Sequence, residues 1–198
     1  MRASLVSSAC TLTLALGLAG CTTPVPPAPM SAARPGPFSL VSPTFADGTM
    51  LAVKNANNTP GNPNCIGSNV SPPLAWSNVP AGTRSLALTM VDPEGRNGLG
   101  VVHWVAYGIP ANVTGFAENE VSGPSPKYTG GEGTAGLASY TGPCTPPGTG
   151  LHHYTFTLIA TDLDPAELPP GLTHNELLAR LNGRVKGASG LVGLFGRP

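Results

Sequence analysis

Short apolar segments rich in β-branched and aromatic residues, each closed off by glycine or proline, limit this chain to a mainly β fold. Residues 84–91 (RSLALTMV) alternate, with Leu86, Leu88 and Met90 on one face and Ser85, Ala87 and Thr89 on the other. Residues 101–109 (VVHWVAYGI) and 153–161 (HYTFTLIAT) have the composition of buried strands, and Trp76, Trp104, Phe156 and Leu158 are expected in the core. Weaker candidates occupy 50–54 and 74–77, and 191–195 reads as a final strand. The 26 glycines and 23 prolines punctuate these segments and do not form a continuous low-complexity tract within them. One helix is signalled. Thr173 and Glu176 fit a capping box, and Leu177, Leu178, Leu181 and Val185 follow at helical spacing, with an end expected between Gly183 and Gly187. Many strands followed by one late helix predict an antiparallel β-sandwich with a C-terminal helix and small peripheral helices. The stretches 55–73 and 118–150 are expected to be loops, the second long enough to suggest a functional one.

The N-terminus carries an address. Arg2 precedes an apolar run from about Leu5 to Leu18, too short for a permanent membrane span, and Leu18-Ala19-Gly20-Cys21 closes it. This resembles the lipobox of bacterial lipoproteins. The resemblance implies that residues 1–20 are a signal peptide and that Cys21 is acylated as the new N-terminus. It also implies a lipid anchor on the periplasmic side of the envelope. Thr22 stands where an inner-membrane retention aspartate would often sit, which favours the outer membrane. Residues 21–37, rich in proline and alanine, form a semi-extended tether, and residues 38–198 suit a single folded domain.

Composition excludes one class of partner. Formal net charge is zero and only 10% of residues are charged, with no basic run to follow a phosphate backbone, so nucleic acid is set aside. Of the four cysteines, Cys10 leaves with the signal peptide and Cys21 carries lipid. Cys65 and Cys144 remain, and an oxidising periplasm favours a disulfide between them.

Three of the four histidines lie in or beside the two strongest strands. Asp92-Pro93-Glu94 closes one strand, and His103-Trp104 follows a glycine-rich turn. The second cluster runs from Gly142-Pro143-Cys144 to His152-His153-Tyr154. Alternation places His152 and Tyr154 on one face with His153 opposite, and turns His103 away from Trp104. A pocket can therefore combine Asp92, His103, His152 and Tyr154 and leave out His153. The ligand types of His103, His152 and Asp92 are also compatible with zinc, but nothing in the spacing shows them converging, and no metal or other cofactor is expected. Gly-x-Ser-x-Gly, His-Glu-x-x-His and a phosphate loop before a helix do not occur, so the sequence argues against an enzyme.

Taken in order, these segments resemble the phosphatidylethanolamine-binding protein family in its bacterial Raf-kinase-inhibitor-like branch. The resemblance runs through Cys65 to Trp76 (CIGSNVSPPLAW), Val79 to Thr83, Asp92-Pro93-Glu94, His103-Trp104, Gly142-Pro143 to Tyr154, and Leu191-Val192-Gly193. It implies a β-sandwich with a small anion pocket at one end, lined by Asp92, His103, Gly142, Pro143, His152 and Tyr154, with Glu94 beside them. Imidazoles, the tyrosine hydroxyl and backbone N–H groups would donate to phosphate-type oxygens. The implied ligand is a phosphate-bearing small molecule or a phospholipid headgroup, and the implied function is non-catalytic binding. A regulator or inhibitor that meets a partner kinase or protease through the pocket rim is the alternative, and a metal-dependent hydrolase a lesser one. The sequence departs from the family at Asp92-Pro93-Glu94, where Asp-Pro-Asp is usual, and at Gly95-Arg96, where Ala-Pro is common. Arg96 would add positive charge at the mouth, although a lone loop arginine is ordinarily solvated.

Overall fold

A computed structural model describes residues 36–197. The expected signal peptide, the expected lipidation site Cys21 and all but the end of the expected tether lie outside the described residues.

Two sheets and a helix stack in layers. The large sheet has the order β2 (Thr49–Met50), β9 (Val185–Arg197), β8 (Gly150–Thr161), β4 (Ser85–Asp92), β5 (Val101–Pro110), β7 (Thr129–Gly130). The small one has the order β1 (Ser39–Val41), β3 (Leu74–Ser77), β6 (Gly115–Phe116). Pairing is antiparallel throughout except between β2 and β9, which run parallel.

The alternation in β4 explains the layering. Leu86, Leu88 and Met90 join Trp104, Phe156 and Leu158 in the core facing the small sheet, where Trp76 and Phe116 meet edge-on. Ala87 faces the other way, with Val105, Tyr107 and Ile159, onto Leu177 and Leu181 of the 174–181 helix. Both faces of the central strands are thus buried, which is why their sequences read as near-continuous apolar runs.

The helix spans His174–Leu181, and its capping box forms as the sequence indicates, with Thr173 accepting from the Glu176 N–H and Glu176 from the Thr173 N–H. It stops short of the expected end. Gly183 turns the chain at φ +75°, so Val185 opens β9 and does not extend the apolar stripe. Leu178 is also off the stripe, at 41% exposure. β9 is far longer than the 191–195 segment because its glycines dilute the apolar pattern. A Cβ at Gly193 would approach Leu51 Cδ2 to 2.6 Å, so the missing side chain is what lets the neighbouring segment close on the sheet. The 50–54 candidate is mostly not a strand: β2 ends at Met50 and a single 3-10 turn spans Val53–Asn55.

Cys65 and Cys144 are joined by a disulfide, with Cα atoms 4.4 Å apart across 79 residues of sequence. The bridge ties the 55–73 loop to the segment that enters β8.

Candidate functional site

Asp92 ends β4 beside its partner β8, which brings the carboxylate next to His152. Oδ2 lies 2.8 Å from His152 Nδ1, while Oδ1 accepts the backbone N–H groups of Glu94 (2.9 Å) and Gly95 (3.0 Å). This is an Asx-type turn, and it uses the Asp-Pro-Glu-Gly sequence to hold the carboxylate still. On the far side of the His152 ring, Nε2 meets Thr149 Oγ1 at 3.2 Å.

His103 joins them through an irregularity in the sheet. Met90 pairs with Trp104 but Val91 pairs with Val102, so His103 is an extra residue opposite β4. Such a bulge breaks the alternation. His103 and Trp104 consequently turn to the same side of the sheet, correcting the expectation that they face apart: Trp104 lies in the inter-sheet core, and His103 sits edge-on to Tyr154 of that core at 5.1 Å. Strict alternation would have put His103 behind the sheet from Asp92. Its Nδ1 donates to the Thr141 carbonyl at 2.8 Å. Burial pushes its pKa down, outweighing that bond and the nearby Asp92, so the ring is neutral at neutral pH. Tyr154 is 1% exposed with its hydroxyl 2.8 Å from Thr145 Oγ1, and burial drives its pKa far up.

These groups line one cavity of about 250 Å³, with Arg96, Val101, Thr145 and Pro146 completing much of its wall. Arg96 adopts φ 53° in the turn after β4 and has no carboxylate partner among the described residues. It supplies positive charge at a cavity otherwise built from Asp92, imidazole and phenol rings and hydroxyls. Size does not single this cavity out. Another of about 240 Å³, lined by Pro124, Ser125, Tyr128, Gly130, Ala138 and Ser139, contains no histidine, arginine or carboxylate.

Three residues of the expected ligand set do not line the cavity. Glu94 points across the sheet to His153, with 2.8 Å between Oε1 and Nδ1 and a 3.1 Å bond from the His153 N–H. What burial it has would raise its pKa, but the bonds from His153 prevail and hold it at about 2. Gly142 presses against the 55–57 backbone, where any Cβ would collide with the Asn55 carbonyl. Its N–H already donates to Asn69 Oδ1 at 2.8 Å. Pro143 accepts from the Asn57 N–H at 2.7 Å and has no N–H to offer. The pair therefore anchors the loop. Sequence reasoning gave no role to Thr141, Thr145 or Thr149, whose bonds orient His103, Tyr154 and His152; all three lie on a loop that returns to the strands, which no spacing rule anticipates. Among the described residues no three His, Cys, Asp or Glu side chains are grouped to hold a metal ion.

Comparison with known proteins agrees with this architecture. A Mycobacterium tuberculosis protein that bears the name lipoprotein LppC is 38% identical over 176 residues, covering 88% of this chain and 76% of that one. A UPF0098 protein of Aquifex aeolicus is 34% identical over 73% of this chain and 84% of its own. The crystal structure of Escherichia coli YbcL, described as a member of the mammalian PEBP family, superposes with a TM-score of 0.72 at 28% identity, covering 81% of this chain and 99% of YbcL. A phosphatidylethanolamine-binding protein homologue from Chlamydia trachomatis gives 0.68, also at 28% identity, over 81% of this chain and 98% of its own. The profile of the phosphatidylethanolamine-binding protein family matches residues 41–196, and the chain belongs to that family.

Proposed function

We propose that this protein is a non-catalytic binding module whose cavity takes a small anion of the phosphate or phosphoethanolamine type. The observation that carries this reading is the convergence of Asp92, His103, His152 and Tyr154 on one cavity with Arg96 at its wall. Arg96 and the Tyr154–Thr145 hydroxyl pair offer donors to an anion, and the Asp92–His152 pair fixes the floor. Asp92 accepts three hydrogen bonds, two from backbone N–H groups and one from His152, and so holds the His152 ring in place.

The module is held at the bacterial envelope by a lipid on Cys21, on the periplasmic side and at the outer membrane. The lipobox-like Leu18-Ala19-Gly20-Cys21, Thr22 after it, and the lipoprotein name of the mycobacterial relative support that placement. Among the described residues no helix is long and apolar enough to cross a membrane.

One observation favours a second reading, in which the rim engages a partner enzyme. Leu99, on the turn that carries Arg96, is 78% exposed, the highest value among the large apolar side chains described.

Titration of the purified protein with phosphate and phosphoethanolamine, followed by NMR, tests the first reading. Saturable shifts at cavity residues, lost in His152→Ala, are expected. Absence of any shift at millimolar ligand would remove the anion pocket and leave the rim as the functional surface.

A further inference from the structure

The hydrogen-bond inventory of the cavity restricts which protonation state of an anion it can hold; this step rests on the anion-pocket reading above. His103 Nδ1 carries a proton, because the Thr141 carbonyl it meets can only accept. The ring is 7% exposed and its pKa is lowered by burial, so Nε2 is a bare lone pair at neutral pH. The one hydrogen bond the His103 ring makes among the described residues is that of Nδ1 to Thr141, and His103 is one of the residues lining the cavity, which leaves Nε2 to a ligand there. The other titratable groups facing this ring are Asp92 from the end of β4, Arg96 from the turn beyond it, and His152 and Tyr154 from β8. Glu94 is turned away to His153. Asp92 accepts three hydrogen bonds and donates none. An incoming phosphate therefore meets donors on one side and, at His103, an acceptor. An ionised oxygen placed there would oppose lone pair to lone pair.

We propose that this cavity selects phosphate groups that still carry a proton, namely inorganic phosphate and phosphomonoesters, whose P–O–H donates to His103 Nε2, over phosphodiesters such as an intact phospholipid headgroup. The second ionisation of a phosphomonoester lies near pH ~6, so a usable share of it keeps an O–H at neutral pH. A diester has no second proton and presents only ionised or esterified oxygens. A buried acceptor left without its donor costs on the order of tenfold in affinity or more. The buried Asp92 carboxylate acts in the same sense by disfavouring a dianion.

Calorimetric titration of the purified protein with methyl phosphate, dimethyl phosphate, inorganic phosphate and sulfate, between pH 5.5 and 8, tests the proposal. Dimethyl phosphate matches the charge of the protonated monoester, and sulfate matches the size of phosphate. At pH 6, methyl phosphate and phosphate are expected to bind about tenfold or more tightly than the other two. Their affinity should fall as the pH rises past the ligand's second ionisation, with proton uptake appearing in the heat measured across buffers. If dimethyl phosphate or sulfate binds within threefold of the monoester, the selection is wrong while the anion pocket stands. If none of the four binds, both readings fail together.

Discussion

Two carboxylate–imidazole pairs lie a few residues apart in this molecule, and they differ in almost everything except their bond. Asp92–His152 and Glu94–His153 each place a carboxylate oxygen 2.8 Å from Nδ1. In the first pair the aspartate and histidine side chains are 4% and 9% exposed; in the second the glutamate and histidine are 39% and 53% exposed. Strand alternation at His152 and His153 is enough to separate them. The buried pair is held from every side, by two backbone N–H groups on Asp92 and by Thr149 beyond His152. The exposed pair competes with water. A motif of acids and histidines thus becomes a site only where the fold removes solvent and fixes the partners.

The comparison can be broken from its buried side first. The Cys65–Cys144 bridge places Cys144 in the cavity wall, and by loop length it stabilises by about 4 kcal/mol on the chain-entropy model. Reduction should lower the denaturant midpoint by a corresponding amount and weaken ligand binding; an unchanged midpoint would show that the loop is held without it. Asp92→Ala strands His152 and two backbone donors, and a loss of about 3 kcal/mol is expected in urea unfolding. A loss below 1 kcal/mol would erase the contrast with the exposed pair.

Acidification probes both sides. His103 has a lowered pKa in the fold through burial, so its contribution is complete above the ordinary histidine value and declines as the pH falls below it. The half-buried His174 is lowered in the same direction and adds to that limb. The limb should shrink in His174→Asn and shrink further when His103 is replaced as well. Glu94 behaves differently. With a folded pKa of about 2 against an ordinary 4.5, it contributes stability above pH 4.5 that is lost as the pH falls towards 2. Glu94→Gln should flatten that acid segment and cost under about 1 kcal/mol at pH 7, the smallest effect of the set.

Much of this fold is legible in the sequence, for reasons tied to particular residues. β4, β5 and β8 sit within a few residues of their expected limits because buried strands keep a dense apolar signal. The capping box announces the helix start, but its end depends on how Gly183 and β9 compete for Val185. β9 is hidden by its glycines, and β2, β6 and β7, at two residues each, are too short for any periodicity. The same division holds at the site. Asp92, His152 and Tyr154 follow from alternation at strand ends, whereas His103 enters through a bulge that alternation cannot show. Glu94, Gly142 and Pro143 have the right neighbours in sequence and a different place in space, since pairing with His153 and contact with the 55–57 backbone claim them. Thr145 and Thr149 depend on loop closure, which is a tertiary event.

Imidazole nitrogen NMR during a phosphate titration bears most directly on the central claim, that the buried cavity and not the exposed pair is the binding site. The account predicts that His103 Nε2 and the His152 ring shift and saturate together while His153 stays at its free position. A response at His153, with His103 and His152 unchanged, would contradict it.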